Sequence, residues 1–395
     1  MNEGIKDREI EAVTLFGNLE HSTAVGELRD LDNYCKLLEE FQQLTFNIIT
    51  KHLEEYKYSK RAKKARRGTD IAVGKDYDWN IYGDSFHIYL YSGNITYDMS
   101  NILLIAMKIQ LAWFTSQTNM KNMKEDRPLL DLNMGIDSGM VILGVRTWRH
   151  EMGDLTPRIE GQPVNRSRTI AMLANNGKLS KIFLSEHATK VIRMKPNLPI
   201  RLVQEDTSTL EGIIQDIPLY ELAAYWDHEV FDFLPEGMKE EILGNLEQAF
   251  QRITPAKTHL WLYPLVFRYY LRNEEDQMLK IMRLDSIIKY GVSLLRSFTE
   301  EEIKRYCDYY ITINNMIGMA YFLRNRYEDD IRMAANTFRE TLRYTPKNIQ
   351  AVFKLAECMI AYKNYNAASK LYRYILNVDP DNAKARELLE EMEKI

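Results

Sequence analysis

Cysteine is scarce in this sequence, and the few cysteines are far apart. Cys35, Cys307 and Cys358 are the three present, with no Cys-x-x-Cys pair and no clustering with the seven histidines. Structural zinc sites and disulfide frameworks need closely spaced sulfur or imidazole ligands. The spacing argues against both and indicates buried thiols in a reducing compartment, so we expect a cytoplasmic protein.

Long apolar runs and a dominant charge are also lacking. No apolar stretch approaches the roughly 18 to 20 residues that span a bilayer, and no charged segment followed by an apolar one opens the chain as in a signal peptide. The net charge of −4 provides no overall attraction to nucleic acid or to an anionic membrane. The basic segment 57–67 has no interleaved aromatic beyond Tyr58, which favours a solvated linker over a phosphate or nucleic-acid surface. We expect neither a membrane nor a nucleic-acid partner.

The sequence is long enough for two domains. Its 395 residues are 45% hydrophobic and 27% charged, which is ordinary for globular proteins, and the length is about twice that of a usual domain. Strand and helix signals alternate up to about residue 222, and helix formers dominate after Tyr225. We predict one domain over 8–224 and a second, helical domain over 235–395.

Short apolar runs and amphipathic segments alternate in the first half. Residues 12–16 are predicted to form a short buried strand, followed by a long amphipathic helix that Ser22 or Thr23 can cap. Two hairpins are predicted around Gly-containing turns, the first joining 79–82 to 86–91 and the second joining 132–136 to 140–145. Helices interleaved with hairpins predict an α/β sandwich with a mixed sheet.

The second half contains an internal repeat. Pro346-Lys347-Asn348 and Pro380-Asp381-Asn382 are 34 residues apart, which is the tetratricopeptide (TPR) period. Small, aromatic and aliphatic residues recur at the same offset: Ala334 and Ala368, Phe338 and Tyr372, Leu342 and Leu376, Ala351 and Ala385. We predict TPR-like repeats, clearest over 313–395, that dock a protein or peptide partner. Two unrelated helix hairpins are the alternative.

Four collinear segments of the first half carry a more specific pattern. They read VTLFGNLEHST at 13–23, IYGDSF at 81–86, MGIDSGMV at 134–141, and GQPVN at 161–165 followed by IFLSE at 182–186. Together they resemble the catalytic domain of class III nucleotidyl cyclases, which has a Phe-x-Asp strand, an Ile-Gly-Asp hairpin, a Gly-Ile-x-x-Gly strand pair and a Gly-x-x-Val-Asn helix start. The resemblance implies that family's ferredoxin-like sandwich with a mixed sheet.

The resemblance also implies a chemistry. A 3′-hydroxyl attacks the α-phosphate of a nucleoside triphosphate and expels pyrophosphate, assisted by two divalent ions on hard oxygen ligands. Mg²⁺ or Mn²⁺ is the implied cofactor, and the metal positions fall on Asp84, Asn18 and Leu19. Asn18 brings no charge where the family has Asp, so metal occupancy is weakened. Glu20 either compensates for this or is an exposed acid at the start of the helix.

Phosphate-binding positions follow from the same resemblance. The strand, turn and helix start that run from Phe16 and Gly17 to Ser22 and Thr23 can hold phosphates against a helix N-terminus. The family also places a triphosphate-binding Lys near residues 211–212, and this sequence has none there. We therefore expect this strand, turn and helix start to bind phosphate without the family's triphosphate-binding lysine.

The base-reading positions of the family fall on Asn80 and Arg158. An adenylate cyclase would carry Lys and Asp there, and a guanylate cyclase Glu and typically Cys. Arg158 can only donate hydrogen bonds, which favours a base edge that bears a carbonyl, as in uracil, cytosine or guanine. Asn80 can donate and accept, so the choice among these bases stays open. The alternative for Arg158 is a solvated loop charge.

The catalytic positions fall at the start of one helix. Asn165 matches the family's ribose-orienting Asn, and the transition-state Arg would stand at Thr169. Arg168 is one residue short of that place and is our first candidate for the role, with Arg166 as the second. In this family the metal ligands of one protomer face the Asn and Arg of the other, and this chain carries both sets. The resemblance therefore implies a homodimer.

Two hypotheses remain. The first is a nucleotidyl cyclase of altered base preference with TPR repeats that sense or dock a partner; some bacterial antiviral defence cyclases of this family make cyclic pyrimidine nucleotides. The second is a degenerate pseudo-cyclase that binds a nucleotide, or only dimerises, while the repeats act as the interaction module. Asp84 and Asn165 favour the first hypothesis, whereas Asn18 and Thr169 favour the second.

Overall fold

The computed structural model describes residues 7–20, 31–58, 76–125, 127–146, 156–194, 202–205, 218–222, 260–271 and 275–393. Contacts divide the chain into two compact units, Met1–Ile253 and Thr254–Ile395. Since residues 223–259 lie outside the described part, the predicted domain limits at 224 and 235 stay predictions. Within the described residues, no helix combines the length and apolar character needed to cross a membrane.

The first unit alternates strands and helices. Its elements, in chain order, are β1 (Arg8–Leu19), α1 (Leu31–Tyr58), β2 (Tyr77–Tyr82), β3 (Ser85–Leu90), α2 (Ile95–Phe114), α3 (Gln117–Lys124), β4 (Leu132–Arg146), β5 (Thr156–Glu160), α4 (Gln162–Leu173), β6 (Ile182–Ser185), α5 (Glu186–Arg193), β7 (Leu202–Glu205) and β8 (Leu219–Leu222).

One sheet organises these strands, in the order β2-β3-β1-β4-β6-β8-β7, with β5 paired to β4. The first four strands are antiparallel, and the connectivity β1-α1-β2-β3-α2-β4 with β1 at the centre is the ferredoxin-like arrangement. The β4–β6 pair is parallel, whereas β6–β8 and β7–β8 are antiparallel. The predicted α/β fold with a mixed sheet is confirmed.

The second predicted hairpin is wrong. Residues 132–136 and 140–145 belong to one strand, β4, which pairs with β1 from Leu132 opposite Leu19 to Leu143 opposite Arg8. The Asp137-Ser138-Gly139 segment has the composition of a turn. However, the Asp137 side chain is fully buried and is satisfied by partners from α4 and β6. Long-range partners thus override the local turn preference.

Residues on β1 alternate between two helical layers. On one face, Gly17 leaves room for the ring of Phe86, which would lie 2.3 Å from an added Cβ, and Phe86 packs on Phe41 of α1. On the other face, α4 lies so close to β4 that a Cβ at Gly135 would be 2.1 Å from the carbonyl oxygen of Ser167. Because side chains alternate along a strand, every second residue of β1 faces the α4 side.

The second unit is all helical. Its helices are α6 (Leu262–Tyr270), α7 (Gln277–Arg296), α8 (Glu300–Arg305), α9 (Cys307–Arg324), α10 (Asp330–Tyr344), α11 (Ile349–Ala361), α12 (Tyr365–Val378) and α13 (Ala383–Glu393). Six of the eight small, aromatic and aliphatic residues that recur every 34 positions lie in its core: Ala334, Phe338, Ala351, Ala368, Tyr372 and Ala385 are each at most 1% exposed.

The Pro-x-Asn element of the repeat has a local explanation. The side chain of Asn348 accepts a hydrogen bond from the backbone N–H of Ala351, and Asn382 does the same for Ala385. Each Asn therefore caps the helix that follows it and satisfies one of its unpaired N–H groups. The repeat period thus records where each helix pair begins.

Candidate active site

The two strongest predicted metal positions meet at one end of the sheet. Asn18 is paired with Ser85 across the β1–β3 ladder, and the backbone N–H of Leu19 donates to the carbonyl oxygen of Asp84 at 3.0 Å. Asn18 and Asp84 are both half-buried. The strand register therefore brings together residues that are more than sixty positions apart in the sequence.

The oxygen donors at this end are few and carry little charge. The side-chain amide of Asn18 donates to the carbonyl of Leu19 at 3.0 Å, so the Oδ1 of Asn18 remains an acceptor. With the carboxylate of Asp84 and the Leu19 carbonyl, the residues supply hard oxygens of the kind Mg²⁺ and Mn²⁺ prefer. In the part of the chain that the structure describes, no group of three or more His, Cys, Asp or Glu could hold a metal. The donor set therefore fits a divalent cation with a single anionic ligand.

Glu20 is neither exposed nor poised to replace the missing carboxylate. Its Oε2 is 3.1 Å from Nζ of Lys181, which also contacts Asp131 at 2.5 Å. The side chains of Glu20 and Lys181 are both only 12% exposed. The exposed-acid interpretation is wrong, and the charge of Glu20 is already balanced by an ammonium group.

Lys181 is itself fixed in place by a buried carboxylate. Its backbone has a positive φ of 55°, which is uncommon for a residue with a side chain. Glu221, fully buried on β8, accepts hydrogen bonds from the backbone N–H groups of residues 178–181 at 2.8–3.1 Å. This loop therefore holds Lys181 rigidly against the ends of β1 and β4.

A row of side chains crosses the α4 face of the sheet. Phe16, His87 and Asn80 lie directly opposite one another on β1, β3 and β2. The neighbour of Asn80, Trp79, faces the other way and packs on Phe46 of α1. Asn80, a predicted base reader, therefore shares a face with Phe16, a predicted phosphate-binding residue.

The structure distinguishes the two candidate arginines of α4. Nε of Arg166 contacts Oδ2 of Asp137 at 2.5 Å, and Oδ1 of Asp137 accepts from Ser185 at 2.5 Å. Breaking such a pair would leave a buried charge uncompensated. Arg168 instead lies over the ring of Phe16, with Cζ 5.4 Å from the centroid, in a cation–π contact. Arg168 is therefore the arginine of α4 that lies on the Phe16 side, over β1.

Asn165 is not beside the metal positions of its own chain. The hydroxyl of Thr14 donates to the carbonyl of Pro163 at 3.0 Å, so the start of α4 lies at the level of Thr14. Asn18 is four residues further along β1, roughly 13 Å at the rise of a strand. The start of α4 is thus separated along β1 from Asn18 within one chain.

Other predicted positions are resolved only in part. Ser22 and Thr23, and the segment 211–212, lie outside the described residues. Arg158 belongs to β5 and is opposite Gly144 on β4, so its interpretation as a loop residue is wrong.

His87 was not among the sequence candidates, although it occupies the centre of this face. It is 3% exposed, its ring packs at a tilt against that of Tyr89 with centroids 4.3 Å apart, and Nδ1 is 2.9 Å from the Tyr89 hydroxyl. Burial, and then the charge of Arg168, lower the pKa of His87 to about 3. His87 is therefore neutral near pH 7. The sequence signal that could have identified His87 is a histidine within the predicted apolar strand 86–91.

The second unit matches a known repeat family. A tetratricopeptide repeat model matches residues 326–392, a span that begins just before α10 and ends within α13. The repeats predicted from the 34-residue period are therefore confirmed.

Solved structures of cyclases resemble this chain at low identity. The adenylyl cyclase CyaB from P. aeruginosa is 13% identical, with a TM-score of 0.41 over 55% of this chain and 96% of that chain. The guanylyl cyclase Cya2 is 17% identical, with a TM-score of 0.38 over 56% and 94%. A Class III adenylyl cyclase-like ATP-binding protein from Pseudomonas aeruginosa is 12% identical, with a TM-score of 0.37 over 81% and 73%.

No curated protein matches the sequence. Each of these three solved structures carries a cyclase or cyclase-like name. At TM-scores below 0.5, function has to be inferred from the residues of this chain.

Proposed function

We propose that the first unit is a nucleotidyl cyclase that converts a nucleoside triphosphate to a 3′,5′-cyclic nucleotide and pyrophosphate. One observation carries the proposal: the register that sets Asn18 and Leu19 of β1 against Ser85 and Asp84 of the β2–β3 turn. This register makes the backbones of two separate segments that carry oxygen donors adjacent, two residues along β1 from Phe16, over whose ring Arg168 lies.

Asp84, Asn18 and the Leu19 carbonyl are the residues that would hold Mg²⁺ or Mn²⁺. Such an ion supplies a lowered pKa for the 3′-hydroxyl and partial neutralisation of the triphosphate. With a single carboxylate in the set, we expect weak metal binding.

The remaining chemistry belongs to side chains of the chain itself. Gly17 keeps β1 close to β3 because the ring of Phe86 fills the space of a Cβ. Arg168 supplies donors to the oxygens on which negative charge grows as pyrophosphate departs. Asn165 orients the ribose. Because Pro163, two residues before it, lies at the level of Thr14, roughly 13 Å along β1 from Asn18, and because Asn165 is exposed, we assign Asn165 to the site of a second protomer, which requires a homodimer.

The base and the partner follow from the same reasoning. Asn80 lies in the row with His87 and Phe16, so its amide can read a base placed on this face. With Arg158 as a donor-only second reader, the substrate is a triphosphate of uracil, cytosine or guanine. The TPR repeats provide a docking surface for a protein or peptide that regulates the cyclase.

The test is direct. The purified full-length protein is incubated separately with ATP, GTP, CTP and UTP in Mn²⁺, and cyclic products are identified by mass spectrometry. We expect a product from at least one of GTP, CTP and UTP, and less from ATP. Product from ATP alone would refute the base assignment but not the cyclase.

A pseudo-cyclase is the second candidate, and one observation favours it. The amide of Asn18 donates to the Leu19 carbonyl, so two of the three metal-site oxygens belong to groups already hydrogen-bonded to each other. Under this alternative, the protein binds nucleotide without turning it over. Measurable nucleotide binding with no product from any of the four triphosphates would establish it.

A further inference from the structure

The two functional residues of α4 extend in different directions. The side of α4 that faces the sheet is marked by the buried residues Ser167, Ile170 and Ala171. At about 100° of rotation per residue, Asn165 and Thr169 fall on the side away from the sheet, and both are exposed. An arginine at position 169 would therefore extend away from its own chain, together with Asn165.

Positions 166 and 168 flank the sheet-facing side on opposite edges. Arg166 turns toward β4, where it contacts Asp137, whose other carboxylate oxygen accepts from Ser185 of β6. Arg168 turns toward β1, where its Cζ is 5.4 Å from the ring centroid of Phe16. An arginine at position 169, where the family has it, would extend into solvent or toward a partner. Arg168, one residue earlier, extends over the sheet of its own chain.

Phe16, over which the Arg168 guanidinium lies, is close along β1 to the predicted metal position Asn18 of the same chain. Phe16 and Asn18 are two residues apart on one face of β1, roughly 6.6 Å at the rise of a strand. The guanidinium over Phe16 is therefore on the face of β1 that carries Asn18, whose backbone neighbours the β2–β3 turn with Asp84.

A hydrogen bond next to Arg168 fixes the rotation of the helix. Nε2 of buried His87 is 3.2 Å from Oγ of Ser167, and Ser167 donates its only hydroxyl hydrogen to the carbonyl of Val164 at 3.0 Å. His87 must therefore donate from Nε2. This bond joins α4 to β3 at Ser167, the residue preceding Arg168. The rotation of α4 on the sheet, and with it the direction of Arg168, is therefore set by the packing of the helix.

We propose that Arg168 acts on the site of its own chain, whereas Asn165 serves the site of the partner protomer. The inference rests on the proposed function. In the step concerned, the O3′–Pα bond forms and the bond from Pα to pyrophosphate breaks. The electron pair leaves with pyrophosphate, the hydroxyl proton passes to water, and the guanidinium donates to the α-phosphate oxygens throughout.

Heterodimers of two differently tagged chains test the assignment. Combining Asp84→Ala with Asn165→Ala should restore about half of the wild-type turnover, because one of the two sites is then intact. Combining Asp84→Ala with Arg168→Ala should restore none, since each chain lacks one residue of its own site. Arg168→Gln is a second variant, and Thr169→Ala is the matched control on the same exposed helix surface, expected to be active.

Binding of Mn²⁺-tripolyphosphate gives a readout that needs neither turnover nor a base. The Asp84→Ala/Arg168→Ala heterodimer should have no site of wild-type affinity, and one such site per dimer would overturn the proposal. Recovery of turnover by that heterodimer, or an active monomeric wild type, would overturn it as well. If the wild type binds tripolyphosphate but forms no cyclic product, the proposed cyclase function is wrong. The binding comparison between heterodimers still tests the assignment of Arg168 in that case.

Discussion

Replacing Gly135 by Ala tests how closely α4, the helix of the proposed catalytic residues, packs on the sheet. A Cβ at Gly135 would lie 2.1 Å from the carbonyl oxygen of Ser167, 2.5 Å from the backbone nitrogen of Ala171 and 2.9 Å from Cβ of Ile170. Two of these are backbone atoms of α4, which cannot move away by rotating a side chain. The helix itself must shift.

The size of the shift sets the expected effect. Ordinary contact begins at 3.4 Å, so the helix has to move by about 1.3 Å, the difference from 2.1 Å. Overpacking of this kind costs about 1–3 kcal/mol of unfolding free energy. The same helix carries Asn165 and Arg168, and a displacement near 1 Å at reacting groups can lower turnover on the order of 100-fold. We expect both effects in Gly135→Ala.

Urea unfolding followed by fluorescence and circular dichroism measures the first effect, and cyclic-product formation measures the second. Gly318→Ala is the matched control, because its Cβ would lie 2.8 Å from the ring of Phe338 in the TPR core. That variant should lose stability in the second unit and keep the turnover of wild type. If Gly135→Ala has wild-type stability and turnover, the backbone contact between β4 and α4 is refuted.

Three further substitutions have clear expectations. Asp84→Ala should abolish Mn²⁺-dependent nucleotide binding, because it removes the sole carboxylate among the proposed metal ligands. Unchanged binding in calorimetry would show that Asp84 is not a metal ligand. Asn18→Asp should lower the Mg²⁺ concentration needed for half-maximal turnover by adding a second anionic ligand, and a loss of activity would give Asn18 another role. Burial raises the pKa of Asp98 from 3.8 to about 6, so the native state should lose roughly 3 kcal/mol of stability as pH rises from about 4 to 6. Asp98→Asn should flatten that part of the stability–pH curve, and an unchanged curve would contradict the cause.

The local parts of the fold were predictable from the sequence. The β2–β3 hairpin follows from alternation around Gly83-Asp84, and the TPR core follows from a repeat in which each helix packs mainly on its sequence neighbours. The position of Asp84 in the turn between β2 and β3 was predictable from the same local pattern.

The errors share a physical cause, which is that a distant partner decided the outcome. Asp137 was assigned to a turn because its partners, Arg166 and Ser185, come from other elements. For Glu20, both alternatives, a compensating ligand and an exposed acid, overlooked the ion pair with Lys181, which is 161 residues away and does not stand out in the sequence. The choice between Arg166 and Arg168 needed the rotation of α4 on the sheet, which spacing along one helix cannot supply.

Glu221 has a consequence for the order in which the first unit is completed during synthesis. A nascent chain that has emerged only as far as β6 contains Asn18, Asp84 and Lys181, but the N–H groups of residues 178–181 have no carboxylate to receive them. Unsatisfied buried donors are costly. The loop that presents Lys181 to Glu20 and Asp131 can therefore close only after β8 is made. A ribosome-bound chain ending before residue 221 should leave this loop open to protease, and one extended far enough for β8 to emerge from the ribosome should protect it.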